Sequence, residues 1–305
     1  METCEHDFTE EDTYYCRMSF FQLIRPLTFS GTISPILVGA GFAALNGEVR
    51  WDMLFIVLIA SLFVQISANL FNDYFDFKHG QDGERWTNYR EEAPTYAIKH
   101  QQLPYIAGSA IIFAMILGVW ISAETSWWMA VIGSIGMISG FFYSAGKYSF
   151  SALGLGEVIA AIFLGFVTTI LGFVTQGHTL NLQIMVVAFT FALLISTMIL
   201  TNNIRDIKKD VGFRNTVAMR IGYDAAVRLL TGILFSIYIL VIVLIGIGVL
   251  PITTIFALFA AFLAFKLRKC FRKDASKEEI IQSMAWAARH HWAFGLLMAL
   301  GIWLG

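Results

Sequence analysis

Two short stretches of this chain set amides and carboxylates at helical spacing: Asn69-Leu-Phe-Asn72-Asp73-Tyr-Phe-Asp76 and Thr201-Asn202-Asn203-Ile-Arg205-Asp206-Ile-Lys-Lys-Asp210. Positions 69, 72, 73 and 76 follow i, i+3, i+4, i+7, and positions 202, 206 and 210 follow i, i+4, i+8, so each set is expected on one helix face. Carboxylates sharing a face repel, and beside the first stretch only Lys78 is close in sequence to offset them. A divalent cation is the natural compensator, since hard Mg²⁺ takes carboxylate and amide oxygens and completes its shell with water and substrate phosphate. Asp73, Asp76, Asp206, Asp210 and Asn69 are therefore the expected metal ligands, with Asn72 and Asn202 beside them. Arg205, Lys78 and Lys147 are the cations expected to meet phosphate directly, the arginine through a bidentate fork. Such a set handles a diphosphate.

The elements that carry these residues follow from composition. The 305 residues are 57% hydrophobic and only 14% charged, with 27 Phe and 8 Trp, and the mean hydropathy is +0.67. Disordered chains, collagens, basic nucleic-acid-binding domains and disulfide scaffolds are excluded by those values. An all-α, polytopic membrane helix bundle is the expected fold, with the lipid bilayer as its partner and no nucleic acid. A span of about 30 Å of hydrocarbon needs about 20 apolar residues. Windows of that kind run over Leu27–Asn46, Asp52–Asn72, Pro104–Ser122, Trp127–Ala145, Leu153–Val174, Leu182–Thr201, Arg228–Val249, Leu250–Phe265 and Ala285–Leu304, about nine spans.

Cations in alternate loops give the orientation, because Lys and Arg are retained on the cytoplasmic side. One set of segments holds Arg17 and Arg25, then Lys78 to Lys99, Lys147, Arg205 to Arg220, and Lys266 to Lys277; the opposite set holds Arg50. The N-terminus is thus expected inside and the C-terminus outside; a bacterial inner membrane is the expected location. Residues 1–24 read as an acidic cytoplasmic tail, led by Glu2, Glu5, Asp7, Glu10, Glu11 and Asp12, with no signal or transit peptide. Residues 25–305 read as one transmembrane domain. Cys4, Cys16 and Cys270 form no CxxC pair and read as plain thiols. The pair His290-His291 is expected to snorkel to the interface, and the basic loop Lys266–Lys277 to be a solvated cap.

Carboxylates are costly in so apolar a chain, about 2.5–3.5 kcal/mol for an Asp at mid-helix. Four spans separate the two acidic stretches, so helix parity brings both to the cytoplasmic end, where they can face one acidic cavity. Gly80 is expected to end the first helix and let Asp82 fold back. The likeness of 69–82 to 202–210 also suggests a weak internal repeat.

On these residues the sequence resembles the UbiA superfamily of intramembrane prenyltransferases. The first family motif matches Asn72-Asp73-Tyr-Phe-Asp76, and the second matches Asp206-Ile-Lys-Lys-Asp210. Further matches are Arg25-Pro26 at the head of span one, the stretch from Lys147 to Gly154-Leu-Gly-Glu157, and Asn215-Thr-Val-Ala-Met-Arg220-Ile-Gly222. Asn-Asp-Tyr-Phe-Asp-Phe-Lys-His-Gly-Gln-Asp and Gly-Leu-Gly-Glu are most similar to the menaquinone branch, the 1,4-dihydroxy-2-naphthoate polyprenyltransferases. Some members carry a third Asp four residues after the position of Asp76, where Gly80 stands here; Asp82 is the expected substitute metal ligand.

The resemblance implies Mg²⁺-dependent transfer of a polyprenyl group from its diphosphate to an aromatic acceptor. With 1,4-dihydroxy-2-naphthoate the product is demethylmenaquinone in its quinol form, with loss of CO₂ and diphosphate. Asp73, Asp76, Asp206, Asp210, Lys147 and Tyr143 would be catalytic, and Asn69, Asn72, Lys78, Asn202, Arg205, Arg25 and Glu157 would bind substrate. An allylic cation needs a dry, π-rich pocket. Of the candidates Phe71, Tyr74, Phe141, Phe142 and Tyr143, the last is singled out because it stands close to Lys147. Glu157 could orient the acceptor, take a proton, or cap a helix. Two rivals stay open at this point: a family member using 4-hydroxybenzoate, homogentisate, haem or a glycerol phosphate, and a transporter. Transporters bind near the bilayer midplane, whereas these acids lie at span ends.

Overall fold

The computed structural model describes residues 13–146 and 148–305. In chain order, β1 (Tyr15–Cys16) leads into α1 (Phe20–Leu23), a 3₁₀ turn (Pro26–Phe29), α2 (Ser30–Ala44) and α3 (Trp51–Lys78). A connecting segment with β2 (Trp86–Thr87) reaches α4 (Leu103–Glu124), followed by α5 (Trp128–Phe142). Then α6 (Gly156–Ala160) runs through a π-helical stretch, Ala161–Val167, into α7 (Thr168–Val174). The remainder is α8 (Leu182–Arg205), α9 (Val217–Ile221), α10 (Tyr223–Gly246), a 3₁₀ segment (Ile252–Ala260), α11 (Ala261–Lys269) and α12 (Lys277–Trp303).

All nine expected windows lie largely on helix, but they are not equivalent. Among the described residues six helices are long and apolar enough to cross a membrane: 20–44, 51–78, 100–124, 156–174, 182–205 and 223–246. The window at 127–145 is the 15-residue α5, that at 250–265 is a 3₁₀ segment running into α11, and α12 carries Arg289, His290 and His291 along its length. Residues 1–12 lie outside the described residues. The rest of the expected tail is packed: Tyr14, Cys16 and Leu23 are buried, and Tyr15 and Cys16 pair antiparallel with Thr87 and Trp86. The packed chain thus begins before Arg25, because this short ladder ties residues 13–24 to the segment after α3. Apart from that ladder and a single bridge between Tyr15 and Lys99, the described residues form an all-α fold, as expected.

Local sequence sets the ends of the helices that matter. Ser19 and Gln22 form a capping box at α1, Asn181 caps α8 through the Ile184 amide, and Ser276 with Glu279 boxes the start of α12. At 28 residues and 1.5 Å per residue, α3 is about 42 Å long, enough to cross hydrocarbon and carry its last turns beyond. It ends where expected, with Gly80 in the left-handed region at φ 82°.

Packing is uneven around the bundle. α2, α7, α8, α10 and α12 share a core of Phe42, Phe173, Phe191, Ile237, Phe294 and Met298. Small residues let backbones meet there: a Cβ added at Gly39 would lie 2.1 Å from the Thr169 carbonyl oxygen, the close approach that membrane helix pairs use. His290 and His291 do not snorkel; both are buried, and the Tyr238 hydroxyl lies 2.7 Å from His290 Nε2. α12 packs against α2 and α8, and both rings are shut in the interior. By contrast α5 has no buried residue. It stands as a thin wall beside α3 and α4. Cys16 and Cys270 are buried free thiols, and Cys4 lies outside the described residues.

Candidate functional site

The final two turns of α3 present the first acidic set as its spacing predicts. Asp73 and Asp76 are buried, and each has recruited an arginine from far along the chain. Asp73 Oδ1 accepts from Arg25 and from Arg85 Nη1, the latter at 2.8 Å. Asp76 Oδ2 accepts from Arg214 Nη2 at 2.7 Å. Asn69 donates to the Ile24 carbonyl at 2.9 Å and Asn72 to the Ser144 hydroxyl at 2.7 Å. Lys78 is exposed at the end of the helix.

Asp82 does fold back. It adopts φ 54°, as Arg25 adopts φ 56°, conformations unusual for residues with a side chain. Strain of about 1–3 kcal/mol persists only where surroundings over-determine it, and here ion pairs do so. Asp82 lies 3.0 Å from Arg85 and 2.5 Å from Lys209 Nζ, which also reaches Glu84 at 2.7 Å. Burial raises the Asp82 carboxyl, but Arg85, Lys209 and Arg25 outweigh it and hold the group below the usual range.

The second acidic set departs from its helical expectation. α8 ends at Arg205, with Asp206 as its C-cap, and residues 206–213 form hydrogen-bonded turns in which the Asp210 amide bonds the Asp206 carbonyl. Asp206 and Asp210 therefore follow a turn rather than a continued helix face; Gly212 at φ 89° marks where the chain leaves it. Asp206 is clamped by its own neighbour, with Arg205 Nε and Nη2 donating at 2.7 and 2.5 Å and Nη2 also reaching Asn202 Oδ1 at 2.8 Å. Asp210 is buried and forms no ion pair among the described residues. Burial pushes its carboxyl up; Arg214 pulls it back, Asp206 and Asp76 push it further, and the result is about 6.

The two sets meet. Lys209 bonds Asp82 and Arg214 bonds Asp76 across more than 120 residues of sequence, so both acidic ends share one end of the bundle. Beneath them opens a cavity of about 400 Å³. Its mouth is formed by Arg25, Asn69, Asn72, Asn202, Asn203 and Arg214, with Tyr143 among them, and its depth reaches Val57, Ile121 and Leu171. From Asn72 to Val57 is 15 helical residues, about 22 Å. Most of its wall is apolar; Thr32 and Gln65, joined at 2.5 Å, make a polar patch. Of the five candidate aromatics Tyr143 alone lines this cavity, while Phe71, Phe141 and Phe142 line a second one between α3, α4 and α5. Tyr74 stacks on His100. Lys147 lies outside the described residues. Glu157 is buried one layer behind the wall, where Asn203 Nδ2 donates to its Oε1 at 2.7 Å.

Two carboxylate oxygens bear on the expected metal. Asp73 Oδ2 and Asp210 Oδ2, one from each acidic set, are buried without a hydrogen-bond partner, which costs free energy unless a further group arrives. Among the described residues no three Asp, Glu, His or Cys side chains converge as a ready-made cation site. A cation that fills much of its shell with diphosphate oxygens and water needs fewer protein ligands, so the donor set fits a Mg²⁺ held jointly with substrate. Sequence reasoning passed over Arg85, Lys209, Arg214 and Asn203. The signal for Arg214 was present, since it follows Asp210 by four residues; Arg85 lies in the stretch 84–92, which matches no motif.

Comparison with known proteins gives the family and the fold. The family model of the UbiA prenyltransferase family matches residues 32–289. A Bacillus subtilis protein named 1,4-dihydroxy-2-naphthoate octaprenyltransferase is 31% identical over 287 residues, covering 92% of this chain and 91% of its own. Among solved structures, a UbiA homolog from Archaeoglobus fulgidus bound to DMAPP and Mg²⁺ superposes with a TM-score of 0.64 at 14% identity, over 93% of this chain and 100% of that one. The apo UbiA homolog from Aeropyrum pernix K1 gives 0.66 at 11% identity, over 94% and 98%; at such identities the likeness speaks for the fold. With the family model spanning most of its length and a relative above 30% identity along nine-tenths of both chains, this integral membrane protein belongs to the UbiA prenyltransferase family.

Proposed function

We propose that this enzyme transfers a polyprenyl group from its diphosphate to 1,4-dihydroxy-2-naphthoate, with Mg²⁺ as cofactor. The observation that carries the reading is the meeting of the two acidic sets over one deep, mostly apolar cavity, each set contributing a buried carboxylate oxygen with no protein partner. The name of the Bacillus subtilis relative supports the acceptor, and the Mg²⁺ and DMAPP bound by the Archaeoglobus fulgidus homolog support the cofactor and donor class. Asp73, Asp76, Asp206 and Asp210, with Asn69 and Asp82 beside them, would hold the metal. When bound it offsets the diphosphate charge and favours departure of the leaving group.

The chain's own residues do the rest. Arg25 and Arg214 at the cavity mouth, with Arg85, Arg205, Lys78 and Lys147, bind the diphosphate oxygens, while Asn72 and Asn202 hold the mouth in shape. The allylic C–O bond breaks with its electron pair going to the diphosphate. A ring π pair of the acceptor then forms the new C–C bond. The acceptor's carboxyl leaves as CO₂, its proton passing to diphosphate, and the bonding pair it leaves behind restores the aromatic ring. Tyr143 presents its π face to the allylic cation, and the apolar cavity keeps water from capturing it. Tail burial stabilises the donor by roughly 0.8 kcal/mol per CH₂.

The cation distribution supports an odd number of crossings, nine by the apolar windows, with the N-terminus and the acidic end cytoplasmic, and the bacterial source of the Bacillus subtilis relative supports a bacterial inner membrane. The acceptor is tested by supplying the purified enzyme with Mg²⁺, one labelled polyprenyl diphosphate and, in separate reactions, the naphthoate, 4-hydroxybenzoate, homogentisate, haem and a glycerol phosphate. A prenylated naphthalenediol, with one CO₂ and one diphosphate released per turnover, is expected. Prenylation of another acceptor while the naphthoate is untouched would overturn the acceptor, and substrate flux with no covalent product would overturn the enzyme reading.

A further inference from the structure

The acids at the mouth each have a cation or a place beside the expected metal; Glu157 has neither. It is 7% exposed, Oε1 is held by Asn203 Nδ2 at 2.7 Å, and Oε2 has no partner. A buried carboxylate costs several kcal/mol unless it serves something, and an apolar residue would pack more cheaply behind the wall. What it touches is informative. Asn203 is 5% exposed and lines the cavity next to Tyr143. The Tyr143 hydroxyl in turn lies 3.0 Å from where a Cβ on Gly156, the neighbour of Glu157, would stand.

An amide has a donor end and an acceptor end, and a carboxylate can only accept. With Nδ2 committed to Glu157, Asn203 has its carbonyl oxygen left to offer the cavity. The geometry points to Glu157 as a positioning residue that fixes the Asn203 amide so that Oδ1 accepts a hydrogen bond from a phenolic hydroxyl of the acceptor. This rests on the acceptor class proposed above and adds the group that selects it: a hydroxyl-bearing ring is paired, and a ring whose hydroxyl is masked leaves Oδ1 buried and unpaired. Sites built to pair a substrate hydroxyl discriminate strongly against the analogue lacking it.

The test compares the phenolic acceptor that the wild-type enzyme prenylates with its mono-methyl ethers, at saturating Mg²⁺ and polyprenyl diphosphate. Wild type should prefer the free hydroxyl at one ring position by roughly 10–100-fold in kcat/KM. Glu157→Leu, which removes the acceptor oxygen that Gln would keep, should raise KM for the hydroxylated acceptor about tenfold, lose most of that preference, and leave KM for the donor unchanged. The exchanged pair Glu157→Gln with Asn203→Asp keeps an acceptor oxygen toward the cavity and a donor behind it, and should recover the preference that Glu157→Leu and Asn203→Asp each lose. Equal losses on the hydroxylated and masked acceptors, a raised donor KM, or an exchanged pair no better than the singles would overturn the inference. Using whichever phenol wild type accepts separates the two readings: inactivity toward the naphthoate counts against the acceptor proposed above, while the preference ratio still decides the role of Glu157.

Discussion

The acidic set on α3 and the acidic set after α8 contain the same residue types but are built differently. Asp73 and Asp76 sit on a long, continuous helix, and their arginines come from 48, 12 and 138 residues away. Asp206 is paired with the residue before it, and Asp210 forms no ion pair among the described residues. The first set is therefore knitted into the tertiary structure, and its charges are offset whether or not a ligand is present. The second is a local turn whose charge is incompletely offset until a cation arrives. On the proposed reading, one side would supply a rigid half-site and the other the carboxylate most in need of a metal.

The largest effects should be on turnover and should not distinguish the halves. Asp73→Asn and Asp206→Asn should each lower kcat/KM on the order of 10³-fold or more in a direct assay of prenylated product, with membrane insertion intact. Stability should then separate them. Arg214→Gln leaves Asp76 buried without its partner and should destabilise by about 3 kcal/mol, seen as a lower denaturation midpoint in detergent. Asp210→Asn removes an unpaired buried charge and should leave that midpoint unchanged or higher.

A pH series sharpens the contrast. The Asp210 carboxyl, raised to about 6, binds a proton in competition with metal, so Mg²⁺ affinity should be full well above pH 6. It should fall by about tenfold for each pH unit below that value, and this dependence should flatten in Asp210→Asn. Titrations of Mg²⁺ in the presence of inorganic diphosphate at several pH values would show it. The smallest effect belongs to Lys209→Ala. Its nitrogen joins the two halves, but the side chain is half-exposed, so the bridge should contribute less than about 1 kcal/mol. Activity should change only a few-fold, and less so in high salt.

The difference between the halves also explains what could be read in advance. Helical spacing was enough for Asn69, Asn72, Asp73 and Asp76, because a strong apolar pattern carries α3 through them to Gly80. The same spacing misled at Asp210, since helix and hydrogen-bonded turn share their first few offsets, and Gly212, in the left-handed region, takes the chain off the helical path soon after Asp206. Arg25 was legible by resemblance alone; its ion pair with Asp73 depends on the turn before α2. Arg85, Lys209 and Arg214 were hidden for a common reason: an ion pair between distant segments leaves no periodicity. His290 and His291 looked interfacial because a sequence gives the polarity of a ring but not the neighbours that bury it.

The claim that one metal-bound diphosphate is gripped from both sides is most directly tested by a binding cycle. Calorimetry would measure a non-hydrolysable prenyl diphosphate analogue with Mg²⁺ on wild type, Asp73→Asn, Asp210→Asn and the double variant. If both carboxylates hold the same ligand, each single change should cost at least tenfold, and the double variant should lose little more than the weaker single. Losses that simply multiply, or an analogue that binds normally without Asp210, would mean that the two acidic ends do not share a ligand.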